Sequence, residues 1–354
     1  MTRRIINISG TLLFNPDQNS IARAAAIIKR GGLVAFPTET VYGLGADATS
    51  EEAVRKIFKA KGRPSDNPLI VHVASPEQLR MVAASTTDEV IELTGKFWPG
   101  PLSLVLPRAQ NIPAVVSAGL PTVAVRMPDH PVALALIRSA ALPIAAPSAN
   151  LSGRPSPTSF VHVLEDLAGR IDAVIRAGAC PIGVESTVLD LSGQQPVILR
   201  PGGVSREKLE EFFGQQILVA GPEGTHDLPS SPGMKYRHYS PYASIILVKG
   251  PPEERRCLIE ILYAQCRKRK VKVEILNSVV DDFLFTRSSN DKMTELAAKL
   301  FQILRDMDRR GTELILAEEI EPEGLGLAVM NRLQKASSMV IRIKGRIVRK
   351  ERPV

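Results

Sequence analysis

The chain has 354 residues of which 44% are hydrophobic, enough for two packed cores, so extensive disorder is excluded. Its three cysteines, Cys180, Cys257 and Cys266, have no CxxC spacing and no nearby histidine, which excludes a disulfide framework and a zinc motif. Net charge is +8, mostly carried by residues 244 onward, yet aromatics make up only 5%, which argues against a module built mainly to bind nucleic acid.

In chain order, 20–30 (SIARAAAIIKR) predicts a helix capped by Ser20 and stopped at Gly31 and Gly32. A strand over Leu33–Phe36 enters a Thr/Gly-rich turn, and the next helix opens at Thr49 with Glu52 three residues on, the capping-box spacing. Strands are expected over 68–73, 102–106, 122–127, 142–146, 172–176, 186–191 and 196–200, with helices near 76–84, 87–97, 131–140, 158–168 and 205–213. This gives a mixed α/β domain over 1–215. Residues 216–243 change character: the stretch SPGMKYRHYSPY (231–242) gathers stacking and hydrogen-bonding groups that a plain tether does not need, so an ordered cover is expected. From 244 to 354, strands at 244–250, 271–277 and 313–319 alternate with helices at 252–268, 291–310 and 327–337, the pattern of a smaller, Rossmann-like doubly wound sheet. Its Gly324-Leu-Gly326 lacks a third glycine at Val329, so no dinucleotide fingerprint is present. No run of 18 apolar residues occurs, and the expectation is a cytoplasmic protein with no membrane association.

Four clusters bear on chemistry. Lys61 and Arg63 alternate around Gly62 ahead of Pro64, and in an extended exit they would point the same way and converge on an anion; alternatively they are solvated charges that offset a helix dipole. Ser148 and Asn150 lie in a Ser/Asn/Gly/Pro loop after a strand, where they face a ligand or make local Asx-type bonds. Arg126 ends an apolar strand and needs either a structural carboxylate or a substrate's. Glu185-Ser186-Thr187 and Arg200 add hydroxyls and a further cation, while His72 after its apolar strand reads by default as a core residue. No protease triad order, HExxH, Walker A or kinase set occurs. What remains suits reaction at phosphorus through alignment and charge neutralisation.

Six motifs in order, PTETVYGLG (37–45), KGRP…NPLIVH (61–72), SAN (148–150), ESTV (185–188), RPGG (200–203) and SPGMKYRHYSP (231–241), resemble the L-threonylcarbamoyladenylate synthase family of YrdC type, in its long two-domain form. The resemblance spans essentially the full chain. It implies a YrdC-like catalytic domain and an enzyme joining L-threonine, bicarbonate and ATP into threonylcarbamoyl-AMP and pyrophosphate, with Mg2+ accompanying ATP and no tightly bound organic cofactor. The product would pass to downstream tRNA threonylcarbamoyl-transfer proteins, and the basic C-terminal third leaves a weak tRNA contact open. By matching motif, Lys61 and Arg63 are implied as catalytic. They are joined on the ATP side by Asn67, Thr122, Ser148, Asn150, Ser156, Arg200 and Tyr236, with Tyr239 the alternative to Tyr236. Thr38, Thr40, His72, Arg126, Ala146 and Ser186 fall on the L-threonine side, and no protein metal ligands are implied. Pro147 departs from the hydroxyl residue expected there, which leaves only a backbone contact from Ala146 or Pro147.

Overall fold

The structure is a computed structural model in which residues 6–220, 238–276, 289–344 and 347–351 are described. These form two compact units, and Gly153–Pro155 group with the residues from 238 onward rather than with their own flanks.

In the first unit, twelve strands form one mixed sheet: β1 (Ile6–Ile8), β2 (Thr11–Phe14), β3 (Val34–Phe36), β4 (Gly43–Asp47), β5 (Ile70–His72), β6 (Leu102–Pro107), β7 (Thr122–Arg126), β8 (Ile144–Ala145), β9 (Ala173–Ile175), β10 (Thr187–Asp190), β11 (Val197–Arg200) and β12 (Leu218–Val219). Their order is β1-β2-β9-β3-β4-β8-β5-β7-β6-β10-β11-β12. Side-chain alternation divides the core into two faces. Val34, Phe36 and Ile144 pack on one side against α1 (Gln18–Lys29) and α5 (Pro131–Ala140), through Ile21, Ala25, Ile28, Leu136 and Ile137. Ala35, Leu44 and Val71 point the other way and share a core with Val54, Ile57 and Phe58 of α2 (Glu51–Lys61). The sheet is covered on both faces, which explains the near-continuous apolar runs of its central strands.

Several local expectations shift. The first helix is capped by Asp17, not Ser20, whose amide instead donates to the Asp17 carboxylate at 2.9 Å. The second is capped by Ser50, and Thr49 bonds back to Asp47. Strands β1 and β2 were not anticipated; a Ser9-Gly10 turn with both φ positive joins them as a hairpin. The glycines of 43–45 read as a turn, yet they lie in β4, antiparallel to both β3 and β8. Gly45 is needed there for close approach, because a Cβ would come within 2.8 Å of Phe36 and Ile144.

The remaining helices of this unit, α3 (Pro76–Val82), α4 (Asp88–Phe97), α6 (Phe160–Leu167) and α7 (Arg206–Phe213), open on Ser75, Thr87, Ser159 and Ser205, each of which accepts a backbone N–H. In the second unit, β13 (Ser244–Lys249), β14 (Val273–Ile275), β15 (Leu314–Glu318) and β16 (Met339–Lys344) are parallel in the order β14-β15-β13-β16, and β17 (Ile347–Glu351) adds an antiparallel edge. The connecting helices are α8 (Pro252–Lys268), α9 (Ser289–Arg309) and α10 (Leu325–Ala336). Ile246 and Val248 pack towards α8 through Ile259 and Leu262, whereas α10 contacts β13 and α9. This is the doubly wound arrangement expected from the alternating pattern; β16 and β17 are additions to it. No described helix is long and apolar enough to cross a membrane.

Candidate active site

The PTETVY segment leaves β3 and turns on Thr38, whose hydroxyl donates to the Val41 carbonyl at 2.6 Å and accepts from the Thr40 and Val41 amides at 3.2 Å. A Ser/Thr hydroxyl closing its own turn in this way fixes the loop without neighbouring elements. Thr40 is thereby held at the end of β7, where its hydroxyl accepts from Arg126 Nη1 at 2.9 Å. Arg126 Nε donates to the Gly100 carbonyl at 3.1 Å, and Nη2 lies 2.5 Å from Glu39 Oε1. Both members of this ion pair are nearly sequestered, with side chains 4% and 6% exposed. The structural partner that Arg126 required is therefore Glu39.

His72 stands beside Arg126 in the parallel register of β5 and β7 and meets Phe36 edge-on at 6.0 Å. Burial, reinforced by the Arg126 guanidinium, pushes its pKa down to about 3 against the pull of the Ile70 and Ile144 backbone, so the imidazole is neutral at physiological pH. Ala146 is tied to the same strand through its amide and the Ile70 carbonyl at 2.9 Å. Thr38, Thr40, His72, Arg126 and Ala146 thus occupy adjoining ends of β3, β5, β7 and β8.

A second cluster forms where α2 ends. Lys61 is still helical and Gly62 is its left-handed C-cap, with φ 60° and the Arg63 amide bonded to the Phe58 carbonyl at 3.0 Å. The expected extended alternation of Lys61 and Arg63 is therefore replaced by a helix end closed by Gly62, which sends the two side chains to different partners. Lys61 is buried and donates to the carbonyls of Ser148 and Asn150 at 2.5 and 2.6 Å. Burial, and then the neighbouring Arg63, hold its ammonium pKa well below the ordinary value, with Asp166 opposing. Arg63 is half-buried and donates to the carbonyls of Asn67 and Pro68 at 3.3 and 3.1 Å. The Ser148 hydroxyl donates to Asn150 Oδ1 at 2.5 Å, and Asn150 Nδ2 to the Leu151 carbonyl. The Asn67 side chain is fully buried, and neither polar atom of its amide has a hydrogen-bond partner within the protein.

The loop carrying Ser148 is laid against the first cluster by a bridge between Gly43 and Ser148 and by the Ala149 amide donating to the Tyr42 carbonyl at 2.8 Å. A third group comes from β10 and β11. Arg200 Nη2 donates to the Ser186 carbonyl at 2.9 Å and to its hydroxyl at 3.1 Å, and Ser186 shares a 2.8 Å contact with Ser103. Gly202 permits this packing: a Cβ would lie 2.3 Å from the backbone of Glu185, Ser186 and Thr187. Ser156 is fully buried and its hydroxyl donates to Glu185 Oε1 at 2.5 Å. Thr122 opens β7, opposite Pro107 of β6. Tyr236, like most of the expected cover, lies outside the described residues. Tyr239, by contrast, packs within the second unit, stacked on Phe301 at 5.4 Å with Arg332 over its ring.

Cys180 lies near Glu39 and Arg126, and burial pushes its thiol pKa up to about 12. It is expected to resist alkylation in the native protein while exposed Cys257 reacts first; thiol titration before and after denaturation reads the difference.

The threonylcarbamoyl-AMP synthase of Pyrococcus abyssi is 52% identical over 322 residues, covering 91% of this chain and 95% of its own. That of Bacillus subtilis is 45% identical over 350 residues, covering 98% and 99%. The chain belongs to the threonylcarbamoyl-AMP synthase family. A family model for Sua5, YciO and YrdC, described as telomere recombination, matches residues 26–202, and the C-terminal domain model of threonylcarbamoyl-AMP synthase matches 204–338. Among solved structures, P. abyssi Sua5 complexed with L-threonine superposes with a TM-score of 0.86 at 47% identity, covering 94% of this chain and 100% of that one. YciO of E. coli shares the fold, at a TM-score of 0.50 and 22% identity over 54% of this chain and 96% of that one. The long two-domain form read from the six motifs is borne out.

Proposed function

We propose that the chain makes threonylcarbamoyl-AMP and pyrophosphate from L-threonine, bicarbonate and ATP, for threonylcarbamoyladenosine formation in tRNA beside the anticodon. The observation that carries this reading is the buried polar constellation around Arg126, Thr38, Thr40 and His72, laid against the Lys61-braced loop of Ser148 and Asn150, in a member of this family. Arg126 takes the threonine carboxylate, while Thr38, Thr40, Ser186, the neutral His72 and the Ala146 backbone surround the amino acid. Threonine's neutral amine bonds to the carbon of CO2 and gives up a proton to form a carbamate; starting from bicarbonate, a C–O bond breaks and water leaves. A carbamate oxygen then bonds to the α-phosphorus as the bond to the bridging oxygen breaks, and the electron pair leaves on pyrophosphate. Arg63 and Arg200 offset charge building on the phosphoryl oxygens, and Asn67, Thr122, Ser148, Asn150 and Ser156 hold the nucleotide. Lys61 keeps the loop in shape and adds its charge. No covalent enzyme intermediate is required.

Among the described residues no group of three or more His, Cys, Asp or Glu side chains is placed to hold a metal. A Mg2+ ion accompanying ATP would supply charge neutralisation on the triphosphate. The enzyme works in the cytoplasm and hands its labile product to tRNA threonylcarbamoyl-transfer proteins.

Nucleotide phosphates oppose the burial effect on Lys61 by favouring its ammonium form, so at pH above the depressed pKa of the free protein ATP binding is expected to take up a proton. The affinity then falls as pH rises above the depressed pKa of the free protein, by up to about tenfold per pH unit. Calorimetry in buffers of different ionisation enthalpy measures the uptake. The function itself is tested by pyrophosphate release, which is expected to need ATP, L-threonine and bicarbonate together. Salt-dependent tRNA binding without ATP turnover would favour an RNA-binding module, and dependence on carbamoyl phosphate a carbamoyl-transfer enzyme.

A further inference from the structure

Glu39 pairs with Arg126 but takes no part in the reaction proposed above, although it is buried beside the residues assigned to the amino acid. It is 5% exposed, and although one oxygen touches Arg126, neither carboxylate oxygen has a directed hydrogen bond. Nη2 of Arg126 is in the same condition. Burying two opposite charges is costly and is repaid only when their hydrogen-bonding capacity is filled. Here acceptors and donors are left over side by side, flanked by the Thr38 and Thr40 hydroxyls. His130 and Cys180 are the other titratable groups close to Glu39, and neither supplies a hydrogen bond to it.

We propose that Glu39 is the ammonium subsite, so that in the substrate complex that precedes loss of the ammonium proton and carbamylation, Glu39 and Arg126 form a prebuilt receptor for an amino-acid zwitterion, the carboxylate taking the α-ammonium and the guanidinium the α-carboxylate. This rests on the reading that Arg126 holds the threonine carboxylate. An incoming zwitterion carries both charges on adjacent carbons and can satisfy the hydrogen-bonding capacity of both groups at once. A hydroxy acid or a carboxylate without the amine would leave Glu39 buried and unsatisfied, so the pair selects α-amino acids.

Titration calorimetry on the full chain tests this with L-threonine, (R)-3-hydroxybutanoate, which lacks only the amine, and 1-aminopropan-2-ol, which lacks only the carboxylate. The wild type is expected to prefer L-threonine over (R)-3-hydroxybutanoate by about ten- to a hundredfold, the range of a charged hydrogen bond. Glu39→Gln, which retains size and an oxygen facing Arg126, is expected to bring that ratio close to one, and Glu39→Asp to keep the preference with weaker binding. If Glu39→Gln lowers the affinity for both ligands equally, Glu39 is only a structural partner of Arg126 and the proposal fails. An unchanged ratio in Glu39→Gln overturns it as well. If the wild type binds 1-aminopropan-2-ol as tightly as L-threonine, the underlying assignment of Arg126 is the one that fails.

Discussion

Arg126→Ala is expected to remove L-threonine binding while ATP binding survives, and to destabilise the fold in the same stroke. Two or more charged hydrogen bonds to a carboxylate are lost, so threonine affinity should fall by about a hundredfold or more. Stability should drop by about 3–5 kcal/mol, because Glu39 is left as an uncompensated buried charge. The two effects can be separated. Arg126→Met combined with Glu39→Gln removes both charges, and it should recover most of the thermal stability without recovering threonine affinity. Calorimetry and thermal denaturation on the single and double variants read the two quantities. Unchanged threonine affinity in Arg126→Ala would count against the whole amino-acid side of the site.

Lys61→Met should behave in the opposite way, with a large loss of turnover and a small loss of stability. Its ammonium organises the loop through the Ser148 and Asn150 carbonyls and supplies positive charge beside the nucleotide, so ATP-dependent turnover should fall by about 10²–10³-fold. The Ser148 and Asn150 carbonyls lose this donor, at a cost of about 1–3 kcal/mol each. Removing a buried ammonium returns a penalty of several kcal/mol. A nearly unchanged melting temperature with much slower pyrophosphate release is the expected pair of readings; retained turnover would show that the loop holds itself.

The doubly wound second unit was legible because its strands and helices alternate with two clear periods. The mixed first sheet was legible only in part. Gly43 and Gly45 speak locally for a turn, and their place in β4 is decided by the bulk of Phe36 and Ile144 on neighbouring strands, which no local window contains. Helix starts were placed close by; at the first two helices Asp17 competes with Ser20 and Ser50 with Thr49, and only the backbone decides which of them caps.

The residues of the site were visible as chemistry rather than as contacts. Arg126 announced its need for a carboxylate, but Glu39 was passed over between Thr38 and Thr40, 87 residues earlier. The available signal was that both charges flank apolar strands and each therefore needs the other. Ser186 and Arg200 were set on different substrates by motif, yet the antiparallel register of β10 and β11 brings them within 3.1 Å of each other. Alternation around Gly62 misled for a similar reason, because a left-handed helix cap can occupy the place where an extended exit was assumed.

In the proposed reaction a carbamylated L-threonine is joined to the α-phosphorus of ATP. Supplying ¹³C-bicarbonate and ATP with single amino acids, and following the adenylate by mass, tests it most directly. The account predicts an adenylate only with L-threonine, carrying one ¹³C that disappears when unlabelled bicarbonate is used. An adenylate formed equally from unrelated amino acids, or one that contains threonine without the labelled carbon, would contradict it.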